Sequence, residues 1–104
     1  MNIQGIKLVT GEEVISDLRI ASNGQIELKN PVQLRMVPPQ VAGGQPSMGF
    51  APFPTFSQQK RDESVFVEPL HVVYTYTPDV NISDNYNSMF GSGIITSSKQ
   101  LITG

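Results

Sequence analysis

Cysteine is absent from this 104-residue chain, which removes disulfides, thiolate metal sites and thiol chemistry together. Charge is scarce as well. Asp, Glu, Lys and Arg make up 15% of the residues, against about a quarter in an ordinary globular domain. The seven Lys and Arg are outnumbered by nine Asp and Glu, giving a formal net charge of -2, so no basic field surrounds the chain as it does many nucleic-acid binders. Residues 1–8 show no basic stretch followed by a long apolar run, and no apolar run approaches the roughly 20 residues that span a bilayer. The expected location is the cytoplasm. A single histidine, His71, and scattered carboxylates assemble no triad and no acid/base pair. Glu12-Glu13 and Asp62-Glu63 read as solvated turn-edge pairs, no His or carboxylate spacing fits a metal, and Gly43-Gly44 lacks the Lys and Ser or Thr of a phosphate loop. The expectation is a protein that is not an enzyme, with no catalytic residues, no cofactor and no metal.

What is present reads as strands. The length suits one domain over residues 1–104, burying roughly two-thirds of its unfolded surface. Ile3, Ile6, Leu8, Val14, Ile15, Leu18 and Ile20 form two short apolar runs split by Thr10-Gly11-Glu12, which predicts a hairpin. Asn23-Gly24 predicts a second hairpin through a type I′ turn, because both residues tolerate positive φ. A third strand then starts near Gln25, with Ile26 and Leu28 toward the core. Asn30-Pro31 interrupts it, as a bend, a bulge or an edge, and the strand resumes over residues 32–37. Five of the eight prolines fall in residues 38–59, together with Gly43, Gly44 and Gly49, which predicts a long loop insertion. Val65-Phe66-Val67 and residues 72–77 give two more strands around a tight Glu68-Pro69-Leu70-His71 corner. Residues 79–104 make the C-terminal helix and tail: Asp79 as N-cap, Ile82, Tyr86, Met89 and Phe90 on one face, a stop at Gly91, and a small terminal hairpin over residues 93–96 and 101–103.

Phe50, Phe53 and Phe56 recur every third residue among Pro46, Pro52 and Pro54. Three per turn is the polyproline II period, so the rings line up as one stripe for a partner to grip, or else fold back as satellite core.

Five short antiparallel strands, a bent third strand and a tight last corner resemble the Sm-like proteins. Ile6-Lys7-Leu8-Val9-Thr10-Gly11-Glu12-Glu13-Val14-Ile15-Ser16-Asp17-Leu18 resembles the first Sm motif, and Val65-Phe66-Val67, the corner and Val72-Val73-Tyr74 resemble the second. With the Asn30-Pro31 break, the Pro/Gly/Phe-rich insertion and Met89-Phe90-Gly91-Ser92-Gly93-Ile94-Ile95, the chain is similar to the Sm-like proteins of marine cyanophages over nearly its whole length. The resemblance implies a mostly β fold: a five-stranded, strongly bent antiparallel Sm-like (SH3-type) small barrel with a long Pro/Gly-rich loop and a short C-terminal helix.

It also implies a homo-oligomeric ring of about five to seven subunits closed by rotation, with the fourth strand of one barrel pairing with the fifth of the next, in a host cytoplasm. Val65, Phe66, Val67, Val72 and Tyr74 would form that interface, or fill a monomer core. Family members hold RNA through an Asp, a stacking residue and an Asn in the loop between strands two and three, and an Arg-Gly pair at the corner. Here Ala21, Asn23 and Gln25 occupy the first three places and Glu68-Pro69 the last, so only Gln25 keeps the chemistry. The expected nucleic-acid-binding residues are Asn23, Gln25 and His71, with Lys29 and Arg35 as backbone contacts. The expected partners are the chain itself and single-stranded RNA. The alternative is an adaptor or assembly ring for a protein partner, gripping it by Phe50, Phe53 and Phe56 or by the terminal helix, with no membrane involved.

Overall fold

The computed structural model describes residues 1–58 and 61–91. Strand β1 (Ile3–Leu8) pairs antiparallel with β2 (Glu13–Ile20), Ile3 opposite Asp17 and Lys7 opposite Glu13. The turn between them closes on Leu8 N–H to Glu12 O at 3.0 Å, and Gly11, at φ 104°, takes the left-handed position that a side chain would resist. Strand β3 (Ile26–Val37) pairs with β2 through a loop that differs from the expected type I′ turn. Gly24 has φ 89° but Asn23 does not have positive φ; Gly24 N–H bonds Ala21 O, and Ala21 N–H bonds Gln25 O, both at 2.9 Å. Ser22, Asn23 and Gly24 thus make a three-residue loop with the glycine alone left-handed. Asn23 gains a different task, its Oδ1 accepting from Gln25 N–H at 3.0 Å.

The Asn30-Pro31 break is a bulge within one long strand. Pairing steps from Ile15 opposite Val32 to Asp17 opposite Lys29, leaving Asn30 and Pro31 to face Ser16 alone. Asn30 sits at φ 52°, a region asparagine tolerates, and its Oδ1 accepts from Asp62 N–H at 2.6 Å. The bend gives β3 a different partner on either side of it. Its first half pairs with β5 (Ser64–Val67), Ile26 opposite Val67. Its second half pairs with β4 (Ser47–Pro52), Val32 opposite Pro52 and Val37 opposite Ser47.

Strand β4 corrects the expected loop over residues 38–59. Prolines read as breakers there, but Pro46 precedes the strand and Pro52 is its last residue. A strand at the edge of a sheet tolerates proline, because half of its N–H groups need no partner. After a single 3₁₀ turn at Pro69–His71, β6 (Val72–Tyr76) returns to pair with β1, Gly5 opposite Tyr76. Among the described residues the strand order is β4-β3-β2-β1-β6 with β5 on β3, six strands where five were expected, in an antiparallel sheet that does not close.

Helix α1 (Val80–Phe90) begins as the sequence predicts: Asp79 Oδ1 accepts from the N–H groups of Asn81 and Ile82 at 2.9 and 3.1 Å. The sheet buries apolar side chains on both faces. On one face, the inner core, Ile6, Leu8, Val14 and Leu28 pack with Leu18, Ile26, Phe53, Val67 and Val72. On the other, α1 lays Tyr86, Ile82 and Phe90 over Ile15, Val32, Ile3, Leu34 and Phe50. The expected terminal hairpin over residues 93–96 and 101–103 lies outside the described residues.

Candidate functional site

The β2–β3 loop and the corner before β6 meet at one rim of the sheet. Two unrelated turns supply it. Asn23, fixed by the glycine turn, donates from Nδ2 to Gln25 Oε1 at 3.0 Å, and Gln25 Nε2 donates to Glu68 Oε2 at 2.5 Å. Glu68 begins the 3₁₀ turn, its carbonyl accepting from His71 N–H at 2.9 Å. His71 in turn ties the corner to β1, its carbonyl accepting from Val9 N–H at 2.9 Å. The structure therefore brings Asn23 and Gln25 into contact with the corner that carries His71, and all three side chains are exposed or partly so. Leu70, beside them, is 90% exposed.

Glu68 is the residue whose role the sequence hides. A carboxylate at the corner reads locally as repulsion of phosphate; the fold makes it the acceptor that joins loop to corner. Gln25 spends its amide donor on that carboxylate, so the rim carries a mixed set of acceptors and donors without a cation in its hydrogen-bonded core. No local signal announces a pairing between residues so far apart in sequence.

Lys29, Arg19 and Arg61 lie elsewhere. Lys29 Nζ is 3.9 Å from Asp62, Arg19 Nη2 is 3.1 Å from Asp17, and Arg61 donates to the carbonyls of Met89 and Gly91 at the end of α1, at 3.0 and 3.1 Å. These groups surround a polar hollow of about 270 Å³ together with Asn30 and Phe90. Arg35 sits near the far end of β3 opposite Gly49. Lys29 lies before the bend, opposite Ser64 and beside Asp62, and Arg35 lies beyond it, in the half of β3 that pairs with β4.

No protein-family model matches the chain, and no curated protein matches it either. The assignment of a site therefore rests on geometry.

The expected interface residues lie on β5 and β6, two of the three strands with an open edge among the described residues. Val65 and Val67 are half-buried, Val67 and Val72 packing on the inner core, while Phe66 is 52% and Tyr74 51% exposed. Val73, at 56% exposed, extends the apolar surface of β6. Among the described residues, the outer edges of β5 and β6 have no strand beside them.

Tyr76 lies against bare backbone at Gly5 and donates to the carboxylate of Glu13. Burial first, and Glu13 second, push its hydroxyl well above the usual tyrosine range.

The phenylalanine stripe does not exist. Phe50 is in β4 and packs under α1, Phe53 packs in the inner core on the other side of the sheet, and Phe56 is 99% exposed. A strand alternates sides every residue, so once Phe50 belongs to β4 the threefold spacing no longer aligns the rings. The expected grip on a partner by all three fails for that reason, and satellite core describes two of them. What the sequence reading missed is a groove of about 470 Å³ beside Phe50, between β4 and α1, lined by Leu34, Met48, Phe50, Ile82 and Met89 with Asn85 and Ser88. Its helix wall, Ile82 and Met89, belongs to the apolar face that the sequence shows; its strand wall, Met48 and Phe50, lies in the segment read as loop.

Proposed function

We propose that the chain is a ring-forming, non-enzymatic binding module of Sm-like kind, and that its ligand is single-stranded RNA held at the Asn23-Gln25-His71 rim. One observation carries the assembly. Of the sheet's three edge strands among the described residues, β5 and β6 are the shortest, and they expose Phe66, Val73 and Tyr74. An apolar strand edge left in water invites pairing. Since the two edges differ, β5 of one subunit meets β6 of the next head to tail, and rotation closes the series.

The clustering of an asparagine, a glutamine and a histidine on adjoining turns supports the ligand. Amides and imidazole read base edges and stack on splayed bases, the mode by which single strands are recognised. Glu68 favours a second reading, a ring for a protein partner, because a carboxylate at the rim repels phosphate and the ring repeats it in every subunit.

Native mass spectrometry of the chain, alone and with short uridine-rich or adenine-rich RNA, tests both parts. A closed ring of about five to seven copies is expected, binding one RNA, with Phe66→Glu reducing it to monomers. A wild-type monomer ends the ring reading. A ring that ignores RNA leaves the protein-partner reading.

A further inference from the structure

Where the end of α1 meets the sheet, β2, β3 and the loop before β5 line the polar hollow of about 270 Å³. Its cations arrive from separate elements. Asp17 and Arg19 are two residues apart on β2 and so share a face, and Lys29 stands opposite Asp17 across the ladder. Arg61 comes from the loop between β4 and β5, held by the carbonyls of Met89 and Gly91. Asn30, 5% exposed at the bulge, adds its amide to the wall.

Donors here outnumber the acceptors within their reach. Arg61 spends two N–H groups on those carbonyls and Arg19 one on Asp17, in each case fewer than a guanidinium carries. Lys29 Nζ is 3.9 Å from Asp62 Oδ1, beyond the roughly 3.2 Å limit of an N–H···O bond. Asn30 Oδ1 accepts from Asp62 N–H, while its Nδ2 has no acceptor among the described residues. On the acceptor side, Asp17 is already occupied by Asn2 N–H at 2.9 Å as well as by Arg19. Three cations against two carboxylates leave one positive charge in the hollow of a chain whose net charge is -2.

We propose that this hollow binds a phosphate group, with Lys29, Arg19, Arg61 and the Asn30 amide as its donors. A terminal phosphate presents three strong acceptor oxygens and a charge of about -1.5 to -2 at neutral pH. Donors converging from a strand pair, a bulge and a loop suit such a tetrahedral group better than a planar carboxylate. Size sets the limit. The volume falls just below the roughly 300–1,000 Å³ of sites that enclose a whole drug-sized molecule, so the hollow takes the phosphate and only part of its carrier. Arg61 is held in place by the helix end before the ligand arrives, which lowers the ordering cost of binding. Asp62, its side chain 65% exposed, is the competitor that the phosphate displaces from Lys29. None of this depends on RNA being the ligand of the rim.

The test follows the phosphorus NMR line of inorganic phosphate, and of adenosine monophosphate, titrated with the full-length protein at fixed ionic strength. Saturable broadening is expected with both. Lys29→Gln should weaken the affinity several-fold. Asp62→Asn should strengthen it several-fold, and asparagine tolerates the φ of 67° found there. Lys7→Gln, at the end of β1 away from Asp17, should leave it unchanged. The opposite signs at positions 29 and 62 separate a ligand site from an ion pair that only braces the fold. One short RNA with and without a terminal phosphate identifies the carrier: tighter binding of the phosphorylated strand than of the nucleotide assigns the site to a strand end, and tighter binding of the nucleotide assigns it to the free form. Broadening that never saturates, or one affinity shared by all variants, would overturn the proposal.

Discussion

Tyr86 is fully buried, and its hydroxyl answers a need created on another element. The bulge at Asn30-Pro31 takes the carbonyls of Lys29 and Asn30 out of the regular ladder with β2. The Tyr86 hydroxyl donates toward both, at 3.0 and 2.9 Å, and accepts from Asp17 N–H at 3.1 Å. Burial raises its pKa well above the usual tyrosine range, which keeps it in the protonated form that can donate. Tyr86→Phe keeps the ring and removes the bridge: the Lys29 carbonyl keeps the Ser16 hydroxyl at 2.9 Å, while the Asn30 carbonyl and the Asp17 N–H lose the tyrosine. The expected loss is about 1–3 kcal/mol, read as a lower urea midpoint with an unchanged slope. A midpoint equal to wild type would mean that water replaces the hydroxyl without penalty.

Strands β1 and β6 are joined with almost no space to spare. A Cβ added at Gly5 would fall 2.2 Å from the Tyr76 ring, so Gly5→Ala has to expel the ring and with it the contact to Glu13. Overpacking of this kind costs about 1–3 kcal/mol, and a thermal-unfolding series should show Gly5→Ala below wild type, with Tyr76→Leu rescuing part of the loss by making room.

Elements of this sort were unevenly legible in the sequence. Strands β1 and β2 and the first half of β3 were readable because alternation and glycine turns agree there, and α1 because Asp79 and its apolar face coincide. Strand β4 was not, since its prolines sit at permitted edge positions that composition alone reads as breakage. At the rim, Asn23, Gln25 and His71 were identifiable, but the bond from Gln25 to Glu68 that unites them crosses the whole of β3, β4 and β5, where no local pattern reaches.

At the scale of the whole molecule, the edges proposed to join subunits are uncharged. Ser64–Val67 and Val72–Tyr76 contain no Asp, Glu, Lys or Arg. Assembly through them should persist as salt rises, because screening weakens attraction between charges and leaves apolar burial and strand pairing intact. Sedimentation velocity from low salt to about 1 M, where charges are screened within about 3 Å, should show one unchanged species; dissociation at high salt would place the contact on ionic groups elsewhere.

The pairing of β1 with β6 also bears on how the chain comes into being. A ribosome delivers β1 first, yet the strand that covers its outer edge arrives only after β2, β3, β4 and β5 have emerged. Until Tyr76 lies over Gly5, Ile6 and Leu8 belong to a sheet whose first strand has one side uncovered. Nascent chains of this topology finish folding late, since the loop that joins the first strand to the last must close before its contacts repay the entropy. During that interval the exposed edge of β1 is the place where two growing chains would associate wrongly.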